Sequence, residues 1–328
     1  NGKIMPDISF VIATKNRADL LDRMLESLIL SASNIDYEVV VIDGNSSDRT
    51  MYVLKKHNIR KVFSEEQALG PGRHTWPEIY NFGFSKAEGK WLMYASDDIE
   101  FNPDGINKAM ELVNSTKVEL GGIAFFYKNV VASEVDWSTY GVDLTLGGNI
   151  LINYGLISKK LFRELGGLDE RYKFYCADGD ITLKILEAGK IILPVPLVFV
   201  THNNILDNVK ETNLLQAKTD ITFYEDRWKK SINPVSNIKR RVFLDEFVIA
   251  DYLVPGLKNG IKQTHSKLHL GCGERYLNGY LNIDYPPSEH SVQTNTRVDL
   301  YANIIELEFE SESIEEIRLH HVFEHFDR

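Results

Sequence analysis

The sequence predicts an α/β protein whose main domain is built on a largely parallel sheet, followed by a helical connector and a second, incomplete α/β segment. From residue 8 onward, short apolar runs alternate with segments of helical periodicity, a pattern typical of strands covered by helices. Several of these runs end in clusters of polar, turn-forming residues. A new strand-like run begins at residue 267, after a stretch with prolines and scattered basic residues. We therefore expect domains at residues 1–230 and 266–328, joined by a helical connector at residues 231–265.

The first half of the main domain predicts strands that lead into polar loops. The expected elements are a strand at residues 8–13, a helix after the loop at residues 14–17, strands at residues 38–42 and 60–63, a helix at residues 77–87 and a strand at residues 91–95. Ligands of open α/β sheets bind beyond the carboxyl ends of the strands. We therefore expect the loops after three of these strands, at residues 14–17, 43–48 and 96–98, to border one crevice.

The second half of the main domain predicts a more mixed arrangement of elements. These are strands at residues 121–131 and 145–153, helices at residues 158–165 and 178–188, a strand at residues 191–200 and a helix at residues 214–228. In the connector that follows, the basic run Lys239-Arg240-Arg241 is interpreted as a solvated face rather than a binding patch.

Composition excludes several classes of protein. The 37 Lys and Arg residues are outnumbered by 47 Asp and Glu residues, and the net charge of −10 argues against a protein that coats nucleic acid or an anionic membrane. Cys176 and Cys272 are far apart and do not suggest a disulfide framework, which fits a reducing compartment. No apolar run has membrane-spanning length, and the N-terminal residues lack the pattern of a signal peptide. We expect a cytoplasmic protein with no nucleic-acid partner and at most peripheral membrane contact.

Two adjacent carboxylates, Asp97 and Asp98, follow the predicted strand at residues 91–95. Like charges held close raise one another's pKa, so the pair is costly unless a positive group lies beside it. A divalent cation answers that requirement, because Mg²⁺ and Mn²⁺ prefer carboxylate, water and phosphate oxygens. An acidic turn that caps the helix after Pro103 is the simpler alternative for an isolated pair.

The acidic pair stands last in a series of four motifs. They are Ser9-Phe10-Val11-Ile12-Ala13-Thr14-Lys15-Asn16-Arg17, Val40-Val41-Ile42-Asp43-Gly44-Asn45-Ser46-Ser47-Asp48-Arg49-Thr50, Asn81-Phe82-Gly83-Phe84-Ser85-Lys86-Ala87-Glu88-Gly89 and Tyr94-Ala95-Ser96-Asp97-Asp98. In this order and spacing they resemble family 2 glycosyltransferases of the GT-A fold, and the resemblance covers about residues 7 to 230. It implies a Rossmann-like mixed sheet flanked by helices and transfer of a sugar from a nucleotide-diphosphate sugar. Ser96 departs from the family, whose Asp-x-Asp motif begins with aspartate.

The resemblance also implies a donor site, with a UDP-linked sugar expected. Asp43 would accept a hydrogen bond from the imide N–H of the base or from the ribose, and an Asx turn at the same residue is compatible with that role. Arg73 would pair with base or phosphate, and an exposed loop arginine is the alternative. The expected donor-binding residues are Ala13, Thr14, Asn16, Arg17, Asp43, Asn45, Arg73, Asp97 and Gly148.

Two residues are expected to hold the metal ion. By resemblance, Asp98 is the carboxylate ligand of Mn²⁺ or Mg²⁺, and His202 reaches back to the metal from late in the domain. Neutral imidazole suits Mn²⁺ better than Mg²⁺. An ordinary surface histidine at a strand end is an equal alternative.

Asp178 is the expected catalytic base. The segment Tyr175-Cys176-Ala177-Asp178-Gly179-Asp180 resembles the family's Glu-Asp motif, with Ala177 in place of the glutamate. By resemblance, this aspartate deprotonates the acceptor hydroxyl, so that the anomeric centre inverts in one displacement. Asp180 competes for the role, and a helix N-cap is the structural alternative. Trp137 and Tyr140 are candidates for stacking on an acceptor sugar, although such aromatic residues more often serve packing.

A separate resemblance begins at residue 267. Leu268-His269-Leu270-Gly271-Cys272-Gly273, followed by Asn282-Ile283-Asp284, is similar to the start of an S-adenosylmethionine-dependent methyltransferase, and His321-Val322-Phe323-Glu324-His325-Phe326 to a later part. Glycines after the first strand would let the backbone approach the cofactor, and Asp284 would bind ribose hydroxyls. S-adenosylmethionine is expected as a cofactor only if this domain is complete, and about 60 residues of it are present here, which suggests a piece of a longer bifunctional protein.

Three functions therefore remain open from the sequence. The first is an inverting glycosyltransferase that acts on a glycan or glycolipid acceptor, the second is methyltransferase activity, and the third is a non-catalytic module that binds sugar nucleotides or glycans. The acceptor, the linkage and the oligomeric state stay undetermined.

Overall fold

The computed structural model describes residues 5–116, 118–130, 139–203, 214–229, 241–244, 247, 267–273, 275–277, 280–284, 298, 300–301, 307 and 314–319. The chain divides into two compact units. The first comprises Asn1–Glu111 and Leu120–Arg241, and the second comprises Leu112–Glu119 and Val242–Arg328.

The first unit alternates strands and helices. Its strands are β1 (Ile8–Thr14), β2 (Tyr37–Asp43), β3 (Lys61–Ser64), β4 (Trp91–Ser96), β5 (Ile99–Phe101), β6 (Leu120–Asn129), β7 (Gly141–Asp143), β8 (Gly155–Ser158) and β9 (Ile191–His202). The helices are α1 (Ala18–Ser31), α2 (Thr50–Lys56), α3 (Glu65–Leu69), α4 (Trp76–Lys86), α5 (Gly105–Ser115), which runs into the second unit, α6 (Lys159–Glu164), α7 (Ala177–Glu187) and α8 (Ala217–Trp228).

Four parallel strands form one half of the sheet, in the order β3-β2-β1-β4. In their register Thr14 lies opposite Asp43, Asp43 opposite Ser64, and Ala13 opposite Ser96. The carboxyl ends of all four strands therefore meet at one edge, as predicted for this half.

Antiparallel pairing makes the other half mixed. Strand β8 runs antiparallel to both β4 and β6, β7 runs antiparallel to β6, and β9 runs parallel to β6 and antiparallel to β5. The β6–β9 pairing is irregular, because the partner of Phe125 is Val195 whereas the partner of Phe126 is Phe199. After this irregularity the register brings Asn129 opposite His202. The expected mixed sheet flanked by helices is confirmed.

Helix α4 lies close against the parallel strands. Its start is fixed by a capping box, in which Glu78 N donates to Thr75 Oγ1 and the Glu78 carboxylate accepts from Thr75 N at 2.7 Å. A Cβ atom on Gly83 would lie 2.3 Å from Val11 Cγ1 and 2.7 Å from Ile42 Cδ1. Only glycine permits this close approach. The glycine in the third motif, at residues 81–89, is therefore required for packing α4 against the sheet.

The strand predicted at residues 145–153 is wrong. Thr145 N donates to Asn149 O at 2.8 Å and Gly148 N donates to Thr145 O at 3.0 Å, which closes a tight turn, and Gly148 has a positive φ of 77°. Strands β7 and β8 lie on either side of this turn. The turn is formed because Gly147-Gly148-Asn149 favours a turn more strongly than the neighbouring apolar residues favour a strand. Strand β5 was not predicted, because three residues carry too little periodicity.

The predicted helical connector lies mostly outside the described residues. Where it is described, it begins with a strand, β10 (Arg241–Phe243), rather than a helix. The interpretation of Arg241 as part of a solvated face is also wrong, because only 8% of the residue is exposed and its guanidinium pairs with Asp143. The residue is buried because it pairs with Asp143, about 100 residues earlier in the chain, and the local sequence does not indicate this partner.

The second unit contains a small parallel sheet. Its strands are β11 (Lys267–Leu270), β12 (Leu281–Asp284), β13 (Leu300–Tyr301) and β14 (Glu316–Leu319), in the order β13-β12-β11-β14. The strand predicted from residue 267 is confirmed as β11. Within the part of the chain that is described, no helix has the length and apolar character needed to cross a membrane.

Candidate active site

The loops after β1 and β2 are bonded to each other. Asn16 N donates to Ser46 Oγ at 2.9 Å, Ser47 N donates to Asn16 Oδ1 at 2.7 Å, and Ala18 N donates to Asp48 Oδ2 at 3.0 Å. Asn16 adopts a φ of 52°, a left-handed conformation that asparagine tolerates better than most residues. The two loops border an open cleft of about 660 Å³, lined by Asn16, Arg17, Ala18, Asp19, Leu20, Ser47, Asp48 and Arg49.

Asp43, at the carboxyl end of β2, forms the expected Asx turn. Its Oδ2 accepts from Ser46 N at 3.1 Å, and 7% of the residue is exposed. The neighbouring Asn45 is turned away toward α3, since its Nδ2 donates to Glu66 Oε2 at 2.6 Å and its Oδ1 accepts from Ser64 Oγ at 2.8 Å. Asn45 therefore shapes the loop with its side chain, and Asp43 is the better placed of the two for a ligand.

The acidic pair at the end of β4 is buried and shares one cation. Arg17 Nη1 lies 3.0 Å from Asp97 Oδ1 and 3.2 Å from Asp98 Oδ2. Thr14 Oγ1 donates to Asp97 Oδ2 at 2.8 Å, and Ser96 Oγ donates to Asp98 Oδ1. Only 2% of Asp97 and 7% of Asp98 is exposed. Four predicted site residues, Thr14, Arg17, Asp97 and Asp98, are therefore brought together.

The pKa values of the two carboxyl groups are shifted in opposite directions. Burial, and then the charge of Asp98, raise the pKa of Asp97 to about 6. Burial also disfavours the charged form of Asp98, but the hydrogen bond and charge of His202, with Ser96 and Arg17, hold the pKa of Asp98 below its usual value. Asp98 therefore stays ionised to lower pH than Asp97 does, and the ionised form is the one that binds a cation.

His202, at the end of β9, faces Asp98. Its Nε2 lies 3.4 Å from Asp98 Oδ1, and its Nδ1 lies 2.8 Å from Asn129 Oδ1. When Nδ1 donates its N–H to the amide oxygen of Asn129, a protonated ring donates its Nε2–H to Asp98, whereas a neutral ring would present the Nε2 lone pair to a cation bound between the two side chains. An imidazole nitrogen and a carboxylate oxygen at this spacing fit a divalent cation such as Mn²⁺.

A second acidic group lies on the outer face of α1. Among the described residues, ligand atoms of Asp22, Glu26 and His57 lie within 4.8 Å of one another, a compactness that Asp97, Asp98 and His202 do not reach. Lys56 Nζ, however, lies 2.7 Å from Asp22 and 2.9 Å from Glu26. The outer group is thus neutralised by its own lysine, and we do not assign a metal to it.

The structure separates Asp178 from Asp180. Asp180 is fully buried, and its oxygens lie 3.0 Å from Lys184 Nζ, 3.0 Å from Arg227 Nε and 2.9 Å from Trp228 Nε1. Asp178 is partly exposed, and its Oδ1 accepts from Gly179 N at 2.8 Å. Asp180 is occupied with packing α7 against α8, whereas Asp178 keeps the properties of a proton acceptor.

The surroundings of Asp178 favour its neutral form. Burial, followed by the charge of Asp143, raises the pKa of Asp178 to about 6. The charge of Asp178 in turn contributes to raising the pKa of Tyr94 on β4 and of Tyr224 on α8, in both cases after burial. Asp143 was missed by sequence reasoning, because its only local signal is one acidic residue at the end of a short strand.

The remaining predicted residues lie in three different settings. Ala13 lies in β1 beside Ser96, and Arg73 is exposed in the loop before α4. Gly148 lies in the turn between β7 and β8. Tyr140 serves packing, since its ring lies 4.9 Å from that of Phe199 and its hydroxyl 2.9 Å from Thr201 Oγ1. Trp137 lies outside the described residues.

Comparison with known proteins agrees with this geometry. The family described as "Glycosyl transferase family 2" matches residues 9–164. A protein of Haemophilus influenzae, named only as a glycosyltransferase, is 23% identical over 245 residues, which are 70% of this chain and 80% of that protein. The Campylobacter jejuni GalNAc(5)-diNAcBac-PP-undecaprenol beta-1,3-glucosyltransferase is 28% identical over 115 residues, and this chain spans 35% of its length.

A solved structure shares the fold. Glucosyl-3-phosphoglycerate synthase from Mycobacterium tuberculosis, in complex with Mn²⁺, UDP and phosphoglyceric acid, aligns with a TM-score of 0.50 at 16% identity, over 68% of this chain and 78% of that one. At this identity the likeness concerns the GT-A fold alone. Together, the family match and the relatives show that the protein is a glycosyltransferase, with residues 9–164 as the part that matches the family 2 model.

Proposed function

We propose that this glycosyltransferase moves a sugar from a UDP-linked donor to a hydroxyl group of a glycan acceptor, in one inverting displacement. The observation that carries the proposal is the convergence of Asp43, Thr14 and the Asp97–Asp98 pair at the carboxyl edge of four parallel strands. Such an edge is where open α/β sheets bind nucleotides. The UDP in the Mycobacterium tuberculosis structure supports a uridine nucleotide here.

The donor would lie across the β1 and β2 loops. Asp43 would bind the base or ribose through the carboxylate that now holds Ser46 N, and Arg17, which contacts both acidic residues, would face the diphosphate. Gly148, whose turn lies beyond β7, remains a proposed contact of the donor sugar, and Arg73 a proposed contact of the nucleotide.

Asp98 and His202 would hold the metal ion, with Asp97 as a supporting carboxylate. A bound Mn²⁺ supplies positive charge for the departing diphosphate. Asn129 keeps the imidazole oriented, and Thr14 holds Asp97 in place. The manganese in the Mycobacterium tuberculosis structure supports the choice of ion.

Asp178 would act as the general base. The acceptor oxygen forms its bond to the anomeric carbon while the bond from that carbon to the diphosphate oxygen breaks, and the hydroxyl proton passes to Asp178. A pKa of about 6 suits this work near neutral pH, because the group is ionised and still basic enough to accept the proton.

The experiment is a thermal-unfolding screen with UDP-glucose, UDP-galactose, UDP-GlcNAc and UDP-GalNAc, each with and without Mn²⁺, followed by measurement of UDP release. We expect one donor to stabilise the protein in a Mn²⁺-dependent way. Asp98→Ala should lose the Mn²⁺-dependent part, while the control Asp19→Ala, on an exposed residue of the same cleft, should keep it. Stabilisation that is unchanged in Asp98→Ala would exclude the metal site. Binding without UDP release or transfer to any glycan tested would favour a non-catalytic module.

A second candidate function concerns the second unit. We propose that it is the start of a fold that binds S-adenosylmethionine, because its strand order, β13-β12-β11-β14, follows the 3-2-1-4 order of doubly wound nucleotide-binding sheets. Gly271 and Gly273 adopt positive φ angles of 64° and 53°, and Gly273 N donates to Asp284 Oδ2 at 2.5 Å. Calorimetric titration of the whole chain with S-adenosylmethionine tests this. No heat of binding at millimolar ligand would reject it for this chain.

A further inference from the structure

Arg241 lies at the end of the first unit, with its guanidinium buried against β6 and β7. Its Nη1 lies 2.8 Å from Asp143 Oδ1, and its Nη2 donates to Gly141 O at 3.2 Å and to Tyr127 O. The guanidinium carbon stands 4.0 Å from the centroid of the Tyr127 ring. Burial of an arginine is costly unless a carboxylate and further acceptors compensate it, and here all of these are present.

Asp143 is the centre of this network. Its Oδ2 accepts from Tyr127 Oη at 2.6 Å and from Asn153 Nδ2 at 3.4 Å, while its Oδ1 takes the arginine. About a quarter of the side chain, 25%, is still exposed. The carboxylate is therefore fixed in position and remains partly accessible to solvent.

A short backbone segment connects Asp143 with the proposed base. Leu151 N donates to Asp143 O at 2.8 Å, and Ile152 N donates to Thr182 Oγ1 at 3.2 Å. Thr182 Oγ1 in turn donates to Asp178 O at 2.7 Å. Residues 151–153 are thus held between Asp143 on one side and the first turn of α7 on the other.

We propose that Asp143 and Arg241 form a positioning pair that sets the charge felt by Asp178. The inference rests on the proposed role of Asp178 as base and adds two residues to it, one of which lies beyond the region matched by the family. The negative charge of Asp143 favours the protonated form of Asp178, and the positive charge of Arg241 limits that effect.

The other groups around Asp178 are two tyrosines that stay neutral in the working range and a carboxylate that is paired with cations. Tyr94 on β4 and Tyr224 on α8 have raised pKa values, chiefly through burial, and stay neutral. Asp180, on the same helix, is compensated by Lys184 and Arg227. Among the described residues, Asp143 is therefore the charged group that raises the pKa of Asp178, after burial, and Arg241 is the cation paired with Asp143.

The test is the pH dependence of kcat/KM for UDP release, at saturating Mn²⁺, with the UDP-sugar that gives the largest stabilisation in the four-donor screen. Asp143→Asn keeps the shape of the side chain and removes its charge. We expect the acid limb of the profile to move to lower pH by about half a unit or more. Arg241→Met should move the limb to higher pH, and Arg241→Lys should lie between Arg241→Met and the native protein.

Asp169→Asn is the matched control. Asp169 is another carboxylate paired with arginines, Arg171 at 2.6 Å and Arg227, and its side chain is 10% exposed. Its replacement should leave the acid limb in place. Thermal unfolding of each variant verifies folding, and if Arg241→Met does not fold, Asp143→Asn and Arg241→Lys carry the test.

Failure of this inference differs from failure of the proposed function. If Asp178→Asn is inactive but the limb of Asp143→Asn coincides with that of the native protein, the pair is structural only and the inference is overturned. If Asp178→Asn retains turnover, Asp178 is not the base, and both proposals fall.

Discussion

Two regions of the first unit each present a pair of nearby carboxylates, and they handle the charge in different ways. At the end of β4, Asp97 and Asp98 share a single nitrogen of Arg17. At the start of α7, the cations gather on Asp180, and Asp178 receives a backbone N–H. At the end of β4 one cation is shared by both carboxylates, whereas at the start of α7 two cations pair with the same carboxylate. The role of a carboxylate in this protein therefore depends on its partners and not on its spacing from another carboxylate.

The largest expected effect is at Asp178, the uncompensated member of the second pair. Asp178→Asn should keep donor binding and lower kcat by about 10³-fold, within the range that a general base contributes. Thermal stabilisation by the UDP-sugar measures binding, and release of UDP measures turnover. Loss of binding in this variant would mean that Asp178 belongs to the donor site.

Asp180→Asn should have the opposite outcome. It removes the charge that compensates Lys184 and Arg227, so we expect a loss of about 2 kcal/mol in the free energy of unfolding, less than for a fully buried pair because both cations are partly exposed. Activity of the folded fraction should change little. A denaturant titration gives the first quantity. A selective loss of kcat without loss of stability would reverse the assignment of the two residues.

Arg17→Met sharpens the contrast at the first pair. Removing the shared cation leaves two buried carboxylates with His202 as their remaining basic neighbour, so the stabilisation by Mn²⁺ alone should correspond to about a tenfold gain in affinity. UDP release should fall. Arg49→Met is the control, because Arg49 lines the same cleft but pairs with the exposed Asp19. Equal responses of the two variants to Mn²⁺ would show that Arg17 does not occupy the metal's place.

The smallest effect is on pH. A base with a pKa of about 6 is active when deprotonated, so kcat/KM should fall as pH drops through 6, reaching about one tenth of its plateau near pH 5. The acid limb is read from UDP release between pH 4.5 and 8 at saturating Mn²⁺. A flat profile over that interval would speak against Asp178 as the titrating group.

Much of the parallel half was predictable, because its signals are local. The apolar runs of β1, β2 and β4 and the polar loops that follow them predict Asp43, Asp97 and Asp98 at one sheet edge, where the structure has them. Because parallel strands end on the same side of a sheet, the residues that follow these strands lie at the same edge.

What the sequence did not reveal depends on contacts between distant residues. The pairing of Asp143 with Arg241 joins positions 98 residues apart, and the basic run that contains Arg241 does not indicate this partner. The sequence already favoured Asp178 over Asp180, but the partners of Asp180 on α8, which add support for that choice, could not be predicted from spacing. The error at residues 145–153 was different in kind, because apolar residues there flank a glycine turn.

The irregular pairing of β6 with β9 decides which side chain reaches Asp98. Side chains alternate across a strand, so a shift of one residue turns each of them to the opposite face. Between Val195 and Phe199, strand β9 takes up extra length and then resumes its pairing so that His202 lies opposite Asn129. A single-residue deletion in that interval would place a neighbour of His202 opposite Asn129 and near the acidic pair. The histidine would still be present, but at a different position along the edge. Strand length, as much as residue identity, is thus under constraint at this edge.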